Sequence, residues 1–213
     1  NLYGQTEIAP LATMLGPDDQ LRKPGSAGRA VLNVETRVVN DDLRDVAVGE
    51  VGEIVHRSPH LMLGYFNDPE RTAAAFSGDW FHSGDLATID AEGYCNIVGR
   101  AKDMLIRGGE NVYPREIEEF LFRHPKVQSV QVFGVPDAKY GEEICAWIVP
   151  KPGQTCTEGE VRDFCRDQIA HYKVPRYIRF VDDMPMTITG KVQKFVMREK
   201  MMAELKLQEA KTA

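Results

Sequence analysis

Gly99-Arg100-Ala101-Lys102-Asp103-Met104-Leu105-Ile106-Arg107-Gly108-Gly109-Glu110-Asn111-Val112-Tyr113-Pro114 reads as a polar pivot, a strand and a glycine turn. The pivot covers 99–103 and the strand 104–107. Pro114 stands at a favoured first helical position just past the turn. Upstream, residues 1–98 read as β-rich. Val51–Arg57 suggests a strand, Asp68-Pro69 an N-cap and first helical residue of a short helix ending near Phe76. Leu86–Ile89 and Tyr94–Val98 form β-prone runs around the turn residues Asp90-Ala91-Glu92-Gly93. Downstream, helices and strands alternate. Ile117, Phe120 and Leu121 share one helical face over 114–123, ended by His124-Pro125. Strands are expected at Val127–Val135, Glu143–Val149 and Tyr177–Val181. Thr157 with Glu160 forms a capping-box signature before a helix facing Val161, Phe164, Cys165 and Ile169. A loop at Asp182–Lys191 leads to a last helix from Val192 to about Leu207 with a polar tail.

The composition fits one or two ordinary globular cores: 213 residues, 43% hydrophobic. A net charge of −6 argues against nucleic-acid binding. No apolar run approaches a membrane span, and a soluble, cytoplasmic protein is expected. Cys95, Cys145, Cys156 and Cys165 show no CxxC spacing, so they read as reduced, mostly buried small hydrophobes. Asn1 opens directly on a motif, which suggests a fragment.

Tyr3-Gly4-Gln5-Thr6-Glu7 offers a flat aromatic face for a purine and a close-approaching backbone, then a hydroxyl and a carboxylate for phosphate and magnesium. Taken alone such a run most often forms an ordinary turn. Asp85 in Ser83-Gly84-Asp85 is acceptor-only when ionised and suits two ribose hydroxyls; a turn or capping aspartate is the alternative. Lys191, in Thr189-Gly190-Lys191, sits at the end of a flexible lead from which its long stem could reach a neighbouring site. The upstream glycine of a Walker loop is missing, and a surface lysine is the bland reading. Gly108-Gly109 either satisfies positive φ or leaves a surface narrow enough for a thiol arm.

With these motifs in this order, nearly the whole chain resembles the adenylate-forming enzymes: acyl-CoA synthetases, luciferases and peptide-synthetase adenylation domains. The resemblance implies a mixed α/β fold. Residues 1–99 would be a β-rich remnant of the large AMP-binding domain, 100–103 a hinge, and 104–213 a small mobile C-terminal α/β domain. It implies that Tyr3 stacks on adenine with Gly4 and Gln5 beside it, Thr6 contacts the α-phosphate and Glu7 binds Mg2+. Asp85 would take the ribose, Arg100 the ribose or phosphate, and Ile97 would pack near adenine, although a core-facing strand residue explains it nearly as well. Lys191 would bridge substrate carboxylate and α-phosphate. Gly108, Gly109 and Glu110 would line the CoA tunnel, with Arg166 at a position where some relatives hold CoA phosphates. Lys102 would be the hinge residue.

The expected protein is an AMP-forming acyl-CoA synthetase of fatty acid metabolism. It would use ATP, Mg2+ and CoA on a fatty or aryl carboxylic acid, together with a missing N-terminal part of the same enzyme. A carrier-protein or oxygen acceptor, or a non-catalytic nucleotide-binding module, are the alternatives. Residues 1–98 are expected to lack partner strands, with Tyr3–Glu7 unsupported by any sheet and an apolar face exposed, leaving the isolated chain inactive.

Overall fold

A computed structural model describes residues 1–208; the tail expected beyond the last helix falls, past Gln208, outside them. The chain is mixed α/β and separates into two compact units, Asn1–Lys102 and the residues from Asp103 onward.

The first unit is almost entirely β. Three two-residue strands, β1 (Leu2–Tyr3), β2 (Thr13–Met14) and β3 (Arg29–Ala30), form a small antiparallel sheet in that order. The segment before Glu7 therefore has a partner sheet after all: Tyr3 pairs with Thr13, and Ala12 N–H donates to Tyr3 O at 2.9 Å. Strands this short leave no alternation for a sequence pattern to show. The second sheet contains β4 (Glu35–Val39), β5 (Gly52–Arg57), β6 (Phe76–Ser77), β7 (Trp80–Ile89) and β8 (Cys95–Arg100), with helix α1 (Pro69–Ala74) between β5 and β6. Asp68 caps α1 by accepting from Arg71 N–H at 3.0 Å, with Pro69 at the first helical position, as the sequence suggests. β7 begins at Trp80, earlier than the run from Leu86 implies, and pairs with β5, β6 and β8.

Two small cores hold this unit, one around Val38, Ile54, Ala87 and Cys95, the other around Ile8, Ala12 and Val34. His56 is fully buried; one ring nitrogen meets Thr36 Oγ1 at 3.0 Å and the other, Nε2, has no partner among the described residues. Several large apolar side chains stay outside: Leu21, Leu63 and Phe66 are more than nine-tenths exposed. The expectation of exposed apolar surface holds; that of an unsupported N-terminal segment does not.

The second unit is a sheet covered on both faces. A hairpin of β9 (Leu105–Arg107) and β10 (Glu110–Val112) turns on Gly108-Gly109, so the residues after the glycines form a strand rather than running straight to the helix. Helix α2 (Pro114–Leu121) follows, then the long antiparallel pair β11 (Val127–Asp137) and β12 (Gly141–Pro150). Helix α3 (Glu158–Cys165), β13 (Tyr177–Phe180) and helix α4 (Lys194–Leu205) complete it. β12 is central, with β11 along one side and β9 and, in parallel, β13 along the other. Its Ile144, Ala146 and Ile148 pack with α2 and α3, while Cys145 and Trp147 pack with Met197 and Met201 of α4. A strand buried on both faces reads as a continuous apolar run, and Ile144–Val149 is one.

The capping box is present: Thr157 Oγ1 accepts from Glu160 N–H at 3.2 Å, and Glu160 accepts from Thr157 N–H at 2.9 Å. α3 ends at Cys165, however, because Arg166 is extended and Asp167 left-handed, with φ of 59°. Ile169 lies beyond the helix and reaches the same core from the following turn.

Glu143 is completely buried, and Arg107 grips both its oxygens, Nε to Oε2 at 2.8 Å and an Nη to Oε1 at 2.7 Å. Arg176 lies 3.6 Å from the same carboxylate, and the Arg107 guanidinium stacks 4.7 Å above the Tyr140 ring. This two-point pairing ties β9 to β12. Arg107→Met would leave the buried carboxylate with only the half-exposed Arg176 at 3.6 Å and should cost the second unit about 3–5 kcal/mol. Adding Glu143→Leu should recover most of that loss in urea titrations read by Trp147 fluorescence; a negligible cost for the single change would show that water solvates Glu143.

Burial pushes His56 down to about 4, so the folded first unit resists the proton that an unfolded histidine accepts near its ordinary value of ~6.5. Stability is complete above ~6.5 and declines as pH falls from there toward 4, by about 2 kcal/mol at pH ~5. Urea unfolding read by Trp80 in a Trp147→Phe background should show that decline, and His56→Gln should remove most of it. An identical decline in both proteins would show that His56 takes its proton without unfolding.

Candidate active site

In the first unit the site is built on an irregularity in β7. Glu53 of β5 pairs with Leu86, but Val55 pairs with His82, so Ser83-Gly84-Asp85 bulges out of the ladder. Gly84 adopts φ of 71° with open space where a side chain would stand. The bulge is held from below: Glu53 accepts from Gly84 N–H at 2.9 Å and meets His82 Nδ1 at 2.7 Å. Ser83 Oγ donates to Ile54 O at 2.5 Å and accepts from Asp85 N–H at 3.0 Å. Glu53, His82 and the Ser83 hydroxyl are missing from the sequence reading. A glycine inside a strand-length apolar pattern is the signal that could have exposed the bulge.

Asp85 is turned inward and 7% exposed. Its Oδ2 accepts from the Tyr3 hydroxyl and from Gln5 Nε2, both at 2.8 Å, and Gln5 Nε2 also donates to Ser83 O at 2.9 Å. Arg100, directly opposite Asp85 in the β7–β8 register, brings Nε to 3.4 Å from Oδ1. Oδ2 is thus fully engaged, and Oδ1 keeps acceptor capacity for incoming hydroxyl donors. Burial, with the charge of Asp85 adding to it, holds the Tyr3 phenol un-ionised well above its ordinary range. Tyr3, Gln5, Asp85 and Arg100, separated by up to the length of this unit in sequence, form one cluster.

The remaining residues of the opening motif stand differently. Gly4 is explained by packing within the chain: a Cβ there would lie 1.9 Å from Pro10 O, so the close backbone approach is to Pro10. Thr6 opens a short 3-10 turn and is exposed. One oxygen of Glu7 accepts from the Tyr65 hydroxyl at 3.0 Å. Among the described residues no group of three or more His, Cys, Asp or Glu could hold a metal. Ile97 lies against the Val38–Ile54–Ala87–Cys95 core, where a strand residue of ordinary role belongs. Lys102 sits in the 3-10 turn Ala101–Asp103 and is exposed.

In the second unit Gly108 and Gly109 both take positive φ, 61° and 90°. A side chain at Gly108 would press on the Tyr140 ring at 3.1 Å, whereas Gly109 faces open space. Glu110 is exposed at the start of β10. Arg166 is a surface arginine, 70% exposed, paired with Asp163 at 2.6 Å.

The Lys191 segment is a compact turn, which corrects the flexible lead. Met186 and Val192 form a bridge, Thr187 N–H donates to Lys191 O at 2.8 Å, and Lys191 N–H donates to Thr187 Oγ1 at 3.1 Å. Gly190, with φ of 79°, permits this reversal. The Lys191 ammonium has no ion-pair partner among the described residues.

Family comparison assigns both units. The AMP-binding enzyme family profile matches residues 1–66, and the AMP-binding enzyme C-terminal domain profile matches residues 116–191. YngI of Bacillus subtilis (strain 168), provisionally named an acyl-CoA synthetase, is 49% identical over 93% of this chain and 37% of its own length. The mitochondrial medium-chain acyl-CoA ligase ACSF2 of Rattus norvegicus is 46% identical over 97% of this chain and 34% of its own. ATP-bound MatB from Rhodopseudomonas palustris matches with a TM-score of 0.86 at 39% identity, covering 93% of this chain and 40% of that one. The chain thus spans between a third and two fifths of these relatives. No helix among the described residues is long and apolar enough to cross a membrane. With a profile of the same family in each unit, the chain belongs to the AMP-binding enzyme family.

Proposed function

We propose that the chain is the carboxyl-terminal part of an AMP-forming acyl-CoA ligase acting on a fatty or aryl acid. The observation that carries this is the inward-turned Asp85, fixed on one oxygen by Tyr3 and Gln5 and left with acceptor capacity on the other. A carboxylate so placed suits a ribose diol, and Tyr3 beside it offers a face for adenine. Arg100 supplies positive charge at the same place. Thr6 and Glu7 are assigned to the α-phosphate and to Mg2+, which would neutralise phosphate charge when bound.

The reaction has two steps. An oxygen of the substrate carboxylate attacks the α-phosphorus, the bond to the bridging oxygen breaks, and pyrophosphate leaves with acyl-AMP formed. The sulfur of CoA, its thiol proton lost to solvent, then attacks the acyl carbon, and the carbon–oxygen bond to AMP breaks. Lys191 is assigned to the first step, where a fixed cation stabilises charge gathering on the phosphate. Gly109, with Gly108 and Glu110, is assigned to the passage of the CoA arm, Arg166 to CoA phosphates, and Lys102 to a hinge between the steps. Four unpaired cysteines support a reducing compartment such as the cytoplasm. The nearly bare Leu21, Leu63 and Phe66 support further chain packing on the first unit.

The two steps should separate by mutation in the full-length protein. Lys191→Ala should cost about 10²–10³ or more in acyl-AMP formation while sparing the reaction of added acyl-AMP with CoA. Gly109→Ala and Gly109→Leu carry the same backbone strain at positive φ, so the difference between them reads side-chain bulk. Only the leucine should abolish thioester formation, with adenylation retained; equal losses in both steps from all variants would defeat the assignment.

The 213 residues on their own should form no octanoyl-CoA from octanoate, Mg·ATP and CoA, and calorimetry should detect no tight ATP binding. Product above background would mean that a complete acid site lies within this chain.

A further inference from the structure

Lys191 is tied to the body of the second unit by a clamp three residues downstream. Lys194, first residue of α4, places its ammonium 2.7 Å from Glu118 Oε1 of α2 and donates to Val132 O of β11 at 2.9 Å. The same Glu118 oxygen accepts from Val132 N–H at 2.8 Å. The N–H and C=O of Val132, the Glu118 carboxylate and the Lys194 ammonium therefore close a ring across three elements. Both side chains are mostly withdrawn from water, 22% and 18% exposed, so salt screens the pair only weakly.

Helix stability does not account for this lysine. A cation in the first turn opposes the helix dipole, and α4 has no side-chain cap at Gln193. What the clamp does fix is the foot of the Lys191 turn. Gln193 N–H donates to Pro185 O at 2.9 Å, Met186 bridges Val192, and Lys191 itself is held through Thr187 on both its N–H and C=O. The backbone of 191–193 is thus hydrogen-bonded to 185–187, and Lys194, next in the chain, ties it to α2 and β11.

We propose that Lys194 and Glu118 are positioning residues for Lys191, setting where the base of its side chain starts. This rests on the assignment of Lys191 to acyl-AMP formation. A displacement of about 1 Å at a reacting group can cost on the order of 10²-fold, so loosening the clamp should slow one step selectively.

The test uses the full-length protein with octanoate, measuring pyrophosphate exchange for the first step and octanoyl-AMP with CoA for the second. Lys194→Met should slow exchange about 10–100-fold with the KM for ATP and the second step unchanged, and Lys194→Arg should restore most of the rate. Glu118→Gln keeps an acceptor for Val132 N–H while removing the charge. It should show a smaller loss of the same kind, and it carries the comparison if Lys194→Met fails to fold by circular dichroism. Unimpaired exchange in both variants, or equal losses in both steps without rescue by arginine, would overturn the positioning role. Normal exchange in a parallel Lys191→Ala protein would instead overturn the assignment of Lys191 on which it rests.

Discussion

The second unit depends on a charge that water cannot reach. Glu143 lies in the central strand with no exposed surface, and a carboxylate there is held mainly by Arg107, which answers both oxygens, with Arg176 a second cation at 3.6 Å. The two residues are far apart in sequence, yet the pairing fixes where the β9–β10 hairpin docks on β12. Arg107 is followed at once by Gly108-Gly109, and Gly108 N–H donates to Tyr140 O at 2.8 Å while Tyr140 stacks under the Arg107 guanidinium. The position of the glycine turn is thereby a product of the ion pair. The glycine turn, where Gly109 faces open space, is mounted on a rigid two-point contact.

The first unit solves a related problem differently. Asp85 also stands away from solvent, but its partners are mostly neutral, a phenol and an amide, with arginine at the longer distance of 3.4 Å. Neutral donors fix the orientation of a carboxylate without spending its full charge, which leaves attraction for a further donor. The strand had to be interrupted to place it: the bulge at Ser83–Asp85, anchored by Glu53, rotates the carboxylate out of regular alternation.

Much of this was legible in the amino-acid order. The short motifs carried the family, because each pairs a residue type with a stated chemical need, and the caps at Asp68 and Thr157 marked helix starts correctly. The long strands β11 and β12 announced themselves through apolar runs. What stayed hidden was whatever depends on distant partners. Nothing local in Gln5 or Tyr3 says that both donate to Asp85, and nothing in Glu143 distinguishes a buried carboxylate from a strand-end surface residue. Strands of two residues have no period to detect, so the β1–β3 sheet was invisible. Gly4 carries a second demand that its type alone does not show, the close approach of the Pro10 carbonyl.

The ring around Val132 has a meaning for the sheet as well as for its loops. β11 lies at the border of the sheet, where outward N–H and C=O groups ordinarily invite another strand. At Val132 both are already satisfied, the N–H by Glu118 and the C=O by Lys194. A foreign strand could continue the ladder there only by displacing two charged groups from their hydrogen bonds. At Val132, midway along that border, the edge is capped by side chains rather than left open to a further strand.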